Sequence, residues 1–243
     1  MPLARAEQAR AQMLELFPGG FEEVDRSDGV ELVAYTDAQG EERMWRSFGR
    51  GAAADVGDGW EDRWREFHRP VEVGRLWIGQ PWQTRADGAI AVVIDPGRAF
   101  GTGAHPTTRL ALLLLDGLDR GSVLDVGCGS GVIAIAAAKL GFAPVVAIDS
   151  EAAAVEATAR NAAANDVEIR VERRDASVDD LPATDVAVAN ITRALVETVA
   201  PRLDAAQYIA SGYLMTEPER LDGYRHLRRV TEEGWAADLF ARQ

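Results

Sequence analysis

Cysteine is nearly absent, and so is lysine: the chain has one Cys, Cys128, and one Lys, Lys139. A single thiol excludes an internal disulfide framework and any Cys-x-x-Cys metal or redox site. Long apolar runs are missing too. The longest candidate, Val132 to Ile148, is interrupted by Lys139, Gly141 and Pro144, short of the roughly 18–20 residues a membrane span needs. The first residues, Met-Pro-Leu-Ala-Arg-Ala-Glu-Gln, contain no apolar core of a signal peptide. These absences set a cytoplasmic location and no membrane partner as the expectations. Of the three histidines, His68 and His226 have no metal-ligand spacing to each other, so no metal is expected. Excess positive charge is also lacking. The formal net charge is −13, which disfavours direct contact with a phosphate backbone and favours a basic partner.

What remains is the profile of a folded protein, with 47% hydrophobic and 27% charged residues interspersed over 243 positions. From Ser122 onward, short β-branched runs alternate with alanine-rich stretches, the signature of βαβ units and a parallel sheet. The pattern predicts strands at Ser122–Val126, Val145–Ile148, Glu168–Glu172, Asp185–Ala189 and Gln207–Ser211. Helices are predicted at Val132–Leu140 and at Glu151–Asn165, the latter with Ser150 as N-cap. Arg229–Glu232 and Trp235–Phe240, around Glu233-Gly234, predict a terminal hairpin. Upstream, Ala4–Phe17 is helical in period and is stopped by Pro18-Gly19-Gly20. Weak strands Phe21–Val24 and Val30–Tyr35 flank the turn Ser27-Asp28-Gly29, and Glu41–Phe48 predicts a short helix. The expected organisation is a small N-terminal α+β domain over 1–50 and a linker over 51–69. That linker contains an amphipathic helix, Trp60–His68; an α/β domain follows over 70–243. Trp60, Trp64, Trp77 and Trp82 read as packing between linker and domain rather than as base-stacking platforms.

The chemistry-bearing stretch is Leu124 to Gly131, Leu-Asp-Val-Gly-Cys-Gly-Ser-Gly. Gly127, Gly129 and Gly131 remove Cβ atoms where a strand turns into a helix, so that a ligand can lie against backbone. The spacing Gly-x-Gly-x-Gly departs from the Gly-x-Gly-x-x-Gly that seats a pyrophosphate. Asp149 ends the next strand, where a ribose diol could be held through both hydroxyls. Adenosine with a methionine tail, as in S-adenosylmethionine, fits both facts. The bland alternative is a tight βα turn with Asp149 beside a helix N-cap. Cys128, between two glycines and without a paired His, reads as small filler rather than a nucleophile.

Asp95 to Thr108 reads Asp-Pro-Gly-Arg-Ala-Phe-Gly-Thr-Gly-Ala-His-Pro-Thr-Thr. By residue type alone it is a glycine-rich arm before a helix, either a surface loop with a cap or an arm that folds over a cofactor. The run Phe-Gly-Thr-Gly-x-His-Pro-Thr-Thr strongly resembles the PrmA family, the methyltransferases of large-subunit ribosomal protein eleven. Trp60-Glu-Asp-Arg-Trp64, Pro70-Val-Glu-Val, Leu76-Trp77-Ile78, Val188-Ala-Asn190-Ile191, Ala210-Ser-Gly212-Tyr-Leu and Gly234-Trp235 agree in order and spacing, so the resemblance covers about 60 to 240.

The resemblance implies a seven-stranded Rossmann-like S-adenosylmethionine-dependent methyltransferase domain. It implies cofactor contacts from Phe100, Thr102, His105, Thr108, Gly127, Gly129, Asp149 and Asn190. Asn190 also becomes the candidate for orienting the methyl acceptor, and no residue stands out as a general base. The implied partner is a basic ribosomal protein, methylated on lysine side chains and its N-terminal amine by a monomeric enzyme. In the family the small N-terminal domain grips the substrate and usually opens with a strand. This chain opens with the helix Ala4–Phe17, so the expectation is that this strand is absent or lies upstream of the given start.

Overall fold

A computed structural model of the chain describes residues 70–85, 88–95 and 103–243. Of the first 69 residues it describes 9, 12–13, 16–17, 22–26, 29–34, 36, 38–49 and 51–53. Two compact units emerge, one within Met1–Phe67 and one built from His68–Pro96 and Gly101–Gln243.

In the first unit, β1 (Glu22–Arg26) pairs antiparallel with β2 (Gly29–Val33), Glu22 opposite Val33. Helix α1 (Ala38–Phe48) follows, starting three residues earlier than its apolar pattern predicts. Of the expected helix Ala4–Phe17, positions 9, 12, 13 and 16 are helical. Ala9, Met13 and Phe17 are buried at a spacing of four, one face of a helix. The predicted linker helix Trp60–His68 lies outside the described residues.

The second unit opens with a three-stranded sheet, β3 (Val71–Val73), β4 (Leu76–Gly79) and β5 (Ile90–Val93), with β3–β4 antiparallel and β4–β5 parallel. Helix α2 (Pro106–Asp116) leads into the main sheet. The chain then runs through β6 (Val123–Val126), α3 (Val132–Leu140), β7 (Val145–Asp149), α4 (Ala152–Ala164) and β8 (Arg170–Arg173). It continues with β9 (Thr184–Asn190), α5 (Arg193–Val199), a 3-10 turn, β10 (Ala205–Leu214), β11 (Tyr224–Glu232) and β12 (Trp235–Arg242). The seven strands lie in the order β11-β12-β10-β9-β6-β7-β8. All neighbours from β10 to β8 are parallel, and β12 runs antiparallel to both its partners.

Alternation along the strands makes two cores. Val123, Val145, Ala147, Val186 and Val188 join α2, α3 and the small sheet on one face. Leu124, Val126, Val146, Ile148, Ala187 and Ala189 join α5, Tyr208 and Phe240 on the other. Both faces are covered, which is why these strands read as continuous apolar runs.

Strand order reverses between β6 and β9. At such a switch point the crossover helices leave to opposite faces, and a crevice opens beyond the carboxyl ends of the strands. The ends of β6, β7 and β9 there are Val126-Gly127, Asp149 and Asn190.

The predicted strands and helices of this unit are present with bounds shifted by a few residues. Two shifts have clear causes. Ser150 does not cap α4. The N-cap is Glu151, without a side-chain bond of its own, and its amide is taken by Asp149 Oδ1 at 3.0 Å. Strand β11 begins five residues before the predicted Arg229, because Arg225, His226 and Arg228 on a sheet edge disguise the strand pattern. Its hairpin closes through Glu233 and Gly234, both at positive φ (50° and 84°), the two-residue geometry that matches strand twist.

Candidate active site

The glycine loop hangs from β6 and the amino end of α3. The amides of Gly127 and Cys128 both reach the Ile148 carbonyl of β7, at 2.9 and 3.0 Å. Gly127 has φ 73°, and a Cβ there would come within 2.7 Å of Ile191 Cγ2. A side chain at 127 would therefore have to displace the Ile191 methyl and hold a left-handed φ.

Asp149 closes the loop from the next strand. Its Oδ2 accepts the Gly129 amide at 3.1 Å while Oδ1 holds Glu151. A carboxylate has about four acceptor positions, so two backbone bonds leave capacity for a diol. Both readings of Asp149, helix-end neighbour and ligand holder, are thus served by one carboxylate.

Across the switch point Asn190 ends β9, and its Nδ2 donates to Thr108 Oγ1 at 3.1 Å. Thr108 is buried in the first turn of α2. Residues 82 positions apart in sequence are thereby joined at one wall of the crevice.

His105 serves this wall indirectly. It is the N-cap of α2, with Nδ1 2.7 Å from Thr107 Oγ1 and accepting the Thr107 amide at 3.3 Å. Its ring packs edge-on against Trp235 at 4.8 Å between centroids. Burial, helped by the Arg109 charge, lowers its pKa, so the neutral ring that the cap requires is favoured. Arg109 ties the turn to the hairpin tip, bonding the Ala104 carbonyl, Glu232 at 2.9 Å and Glu233 at 3.2 Å. Phe100 and Thr102 lie outside the described residues.

One residue matters here that the sequence pattern did not single out. Asp125 is almost wholly buried within β6. Its Oδ2 accepts the Ala134 amide of α3 at 3.0 Å, and its Oδ1 has no hydrogen-bond partner among the described residues. Burial pushes its pKa up to about 7; the Ala134 amide opposes this and the Asp149 charge adds to it. A charged residue inside Val-Leu-Asp-Val, otherwise wholly apolar, was the available signal. Cys128 is buried and its thiol is pushed up, first by burial and then by the Asp125 charge. A thiol so held is inert as a nucleophile.

A cleft of about 350 Å³, lined by Ser150, Arg173, Arg174, Asp175 and Asp179, opens at the carboxyl ends of β7 and β8 beside Asp149. Among the described residues no three His, Cys, Asp or Glu converge as a metal set.

A glycine-rich loop, a carboxylate at the next strand end and an amide at the switch point suit an adenosine-bearing ligand. S-adenosylmethionine fits the residues present: Gly127 and Gly129 would lie against it, Asp149 would take its ribose, and Thr108 and Asn190 would wall the transfer end.

Comparison with known proteins converges on one family. A family model described as ribosomal protein L11 methyltransferase (PrmA) matches residues 25–239. The ribosomal protein L11 methyltransferase of Enterobacter sp. (strain 638) is 45% identical over 147 residues, 58% of this chain and 50% of that protein. That of Shewanella halifaxensis is 41% identical over 177 residues, 68% of this chain and 60% of that protein. The chain thus spans 50–60% of the length of these relatives. Among solved structures, the ribosomal protein L11 methylase of Lactobacillus delbrueckii subsp. bulgaricus superposes with a TM-score of 0.65. It is 27% identical, over 72% of this chain and 100% of that one.

Proposed function

This chain belongs to the ribosomal protein L11 methyltransferase (PrmA) family, and from that membership we propose that it transfers methyl groups from S-adenosylmethionine to amines of ribosomal protein L11. The observation that carries the reading is the Asn190–Thr108 bond at the switch point, together with the glycine-rich loop closed by Asp149. The cofactor, when bound, supplies a methyl group already activated on a sulfonium. The protein's own task is then alignment and exclusion of water.

The target amines are lysine side chains and the N-terminal amine. An ε-amine with an ordinary pKa near 10.4 must lose its proton before attack. Desolvation in the crevice lowers that value, and solvent accepts the proton. With Nδ2 engaged by Thr108, the Asn190 carbonyl is turned to accept an N–H of the incoming amine and so aim its lone pair.

Residues 1–50 form the substrate-gripping domain, 51–69 the linker and 70–243 the catalytic domain. The protein acts as a cytoplasmic monomer without contacting nucleic acid. No helix among the described residues is long and apolar enough to cross a membrane.

The test is a methylation assay with labelled cofactor on L11, read by mass spectrometry. The intact protein is expected to label it. Asn190→Ala is expected to abolish labelling and weaken cofactor binding. Full activity in that variant would sink the assignment of Asn190. Label on a different lysate protein would overturn L11 as the substrate, and cofactor binding without any product would overturn catalysis.

A further inference from the structure

Helix α4 carries two buried polar residues, Thr158 and Asn161, on one stripe, which its buried C-cap residue Asn165 continues. Asn is a poor helix former, so Asn161 is not there for the helix itself. The side-chain hydrogen bonds of Thr158 and Asn161 leave the helix. Thr158 Oγ1 lies 3.0 Å from the Gly129 carbonyl and 3.2 Å from Cys128 Sγ, so its one proton is shared between two acceptors of the loop. Asn161 Nδ2 donates to the Ser130 carbonyl at 2.8 Å, and its Oδ1 accepts the Asp95 amide at 3.1 Å. Asn165 reaches only the small sheet, bonding both the amide and carbonyl of Val93, at 2.9 and 2.6 Å, besides the Asn161 carbonyl of its own helix.

Ser130 sits between two left-handed glycines, Gly129 at φ 54° and Gly131 at 85°. Peptide units flanked by glycine rotate with little steric penalty. Because the unit is planar and trans, fixing a carbonyl fixes the opposite direction of the next amide. The carbonyls of residues 129 and 130 are the two that Thr158 and Asn161 hold.

We infer that Thr158 and Asn161 are positioning residues that lock the two peptide units flanking Ser130 in the orientation that receives the cofactor, with Asn161 also tying the loop to Asp95. The inference rests on the reading of this loop as the S-adenosylmethionine cradle. Asn165, one turn on at the helix C-cap, shares the burial and the residue type of Asn161, and its hydrogen bonds go to Val93 and to the Asn161 carbonyl rather than to the loop. It is therefore the natural control.

The experiment measures S-adenosylhomocysteine affinity by calorimetry, together with the thermal midpoint, for the full chain and three variants. Asn161→Asp keeps size and the acceptor for Asp95 but loses the donor to Ser130; Thr158→Val keeps shape and loses the hydroxyl. Both are expected to weaken binding about tenfold, raising KM for the cofactor with kcat within about twofold. Asn165→Ala is expected to lower the midpoint by a comparable amount with affinity within about twofold. Unchanged affinity in the first two variants, or affinity that follows the midpoint through all three, overturns the lock. If the unmodified chain does not bind S-adenosylhomocysteine, the cradle reading fails, and amide exchange at 128–131 alone judges the lock. Faster exchange in Asn161→Asp and Thr158→Val but not in Asn165→Ala supports it, and equal exchange overturns it.

Discussion

Asp125 sits in an environment far from what its type prefers. A carboxylate in the middle of a buried strand loses hydration, and one backbone amide does not replace it. Its pKa rises from 3.8 to about 7. The sign follows: the folded state holds this proton more tightly than the unfolded one, so the stabilisation is complete below about pH 4. It is lost as pH rises through about 7, by up to about 4 kcal/mol. Asp125→Asn stays neutral and keeps an acceptor for Ala134. Without ligand, its thermal midpoint is expected to gain on the unmodified chain from pH 5 to pH 8, levelling above 7. A difference independent of pH would refute the buried-proton account. Tyr208 is a simpler case. Its side chain is fully buried and its hydroxyl has no partner among the described residues. Tyr208→Phe removes an unpaired polar group without changing shape, so urea unfolding is expected to show a gain of about 1 kcal/mol. A loss of that size would mean that the hydroxyl is bonded.

In the terminal hairpin a buried charge network adds to the apolar packing of Ala236, Ala237, Leu239 and Phe240. Asp238 of β12 is fully buried, and Arg229 grips both its oxygens at 2.8 and 2.7 Å. Tyr213 Oη and His226 Nε2 each lie 2.8 Å from it. Burial alone would raise its pKa, yet Arg229, Tyr213 and His226 together hold it below the ordinary value. Arg229 also bonds the carbonyls of Met215 and Glu217, so the same pair pins the loop between β10 and β11. Asp238→Ala removes the carboxylate shared by Arg229, Tyr213 and His226, leaving Arg229 with Glu219 at 3.6 Å and two backbone carbonyls, and is expected to cost about 1–3 kcal/mol in urea unfolding. The hairpin tip in turn holds the His105–Arg109 turn of the site, so methylation is expected to fall with stability in this variant. A cost under about 1 kcal/mol would show that the network is not a fastening.

For the whole molecule, a net charge of −13 has a kinetic consequence if the substrate is a basic ribosomal protein. Long-range attraction accelerates encounter and is screened beyond about 10 Å at 0.1 M salt. Association measured by stopped flow is expected to slow about tenfold or more between 20 mM and 300 mM salt, with dissociation changing less. A rate indifferent to salt would remove charge from the account of capture.

The sequence by itself determined the class of the fold and the position of its glycine-rich turn. Both are written in local rules: a period of two or of 3.6, and three glycines after a strand. Helix α3 was legible to the residue for that reason. Edge strand β11 was not, since charge on a solvated edge hides alternation, and the α4 cap was misplaced because its amide is held from the preceding strand end. Only the tertiary structure decided which distant residues act together. The Thr108–Asn190 bond and the Asn161 bridge from Asp95 to Ser130 depend on strand order and on which face a helix presents. Both are long-range properties of packing, to which no local spacing points.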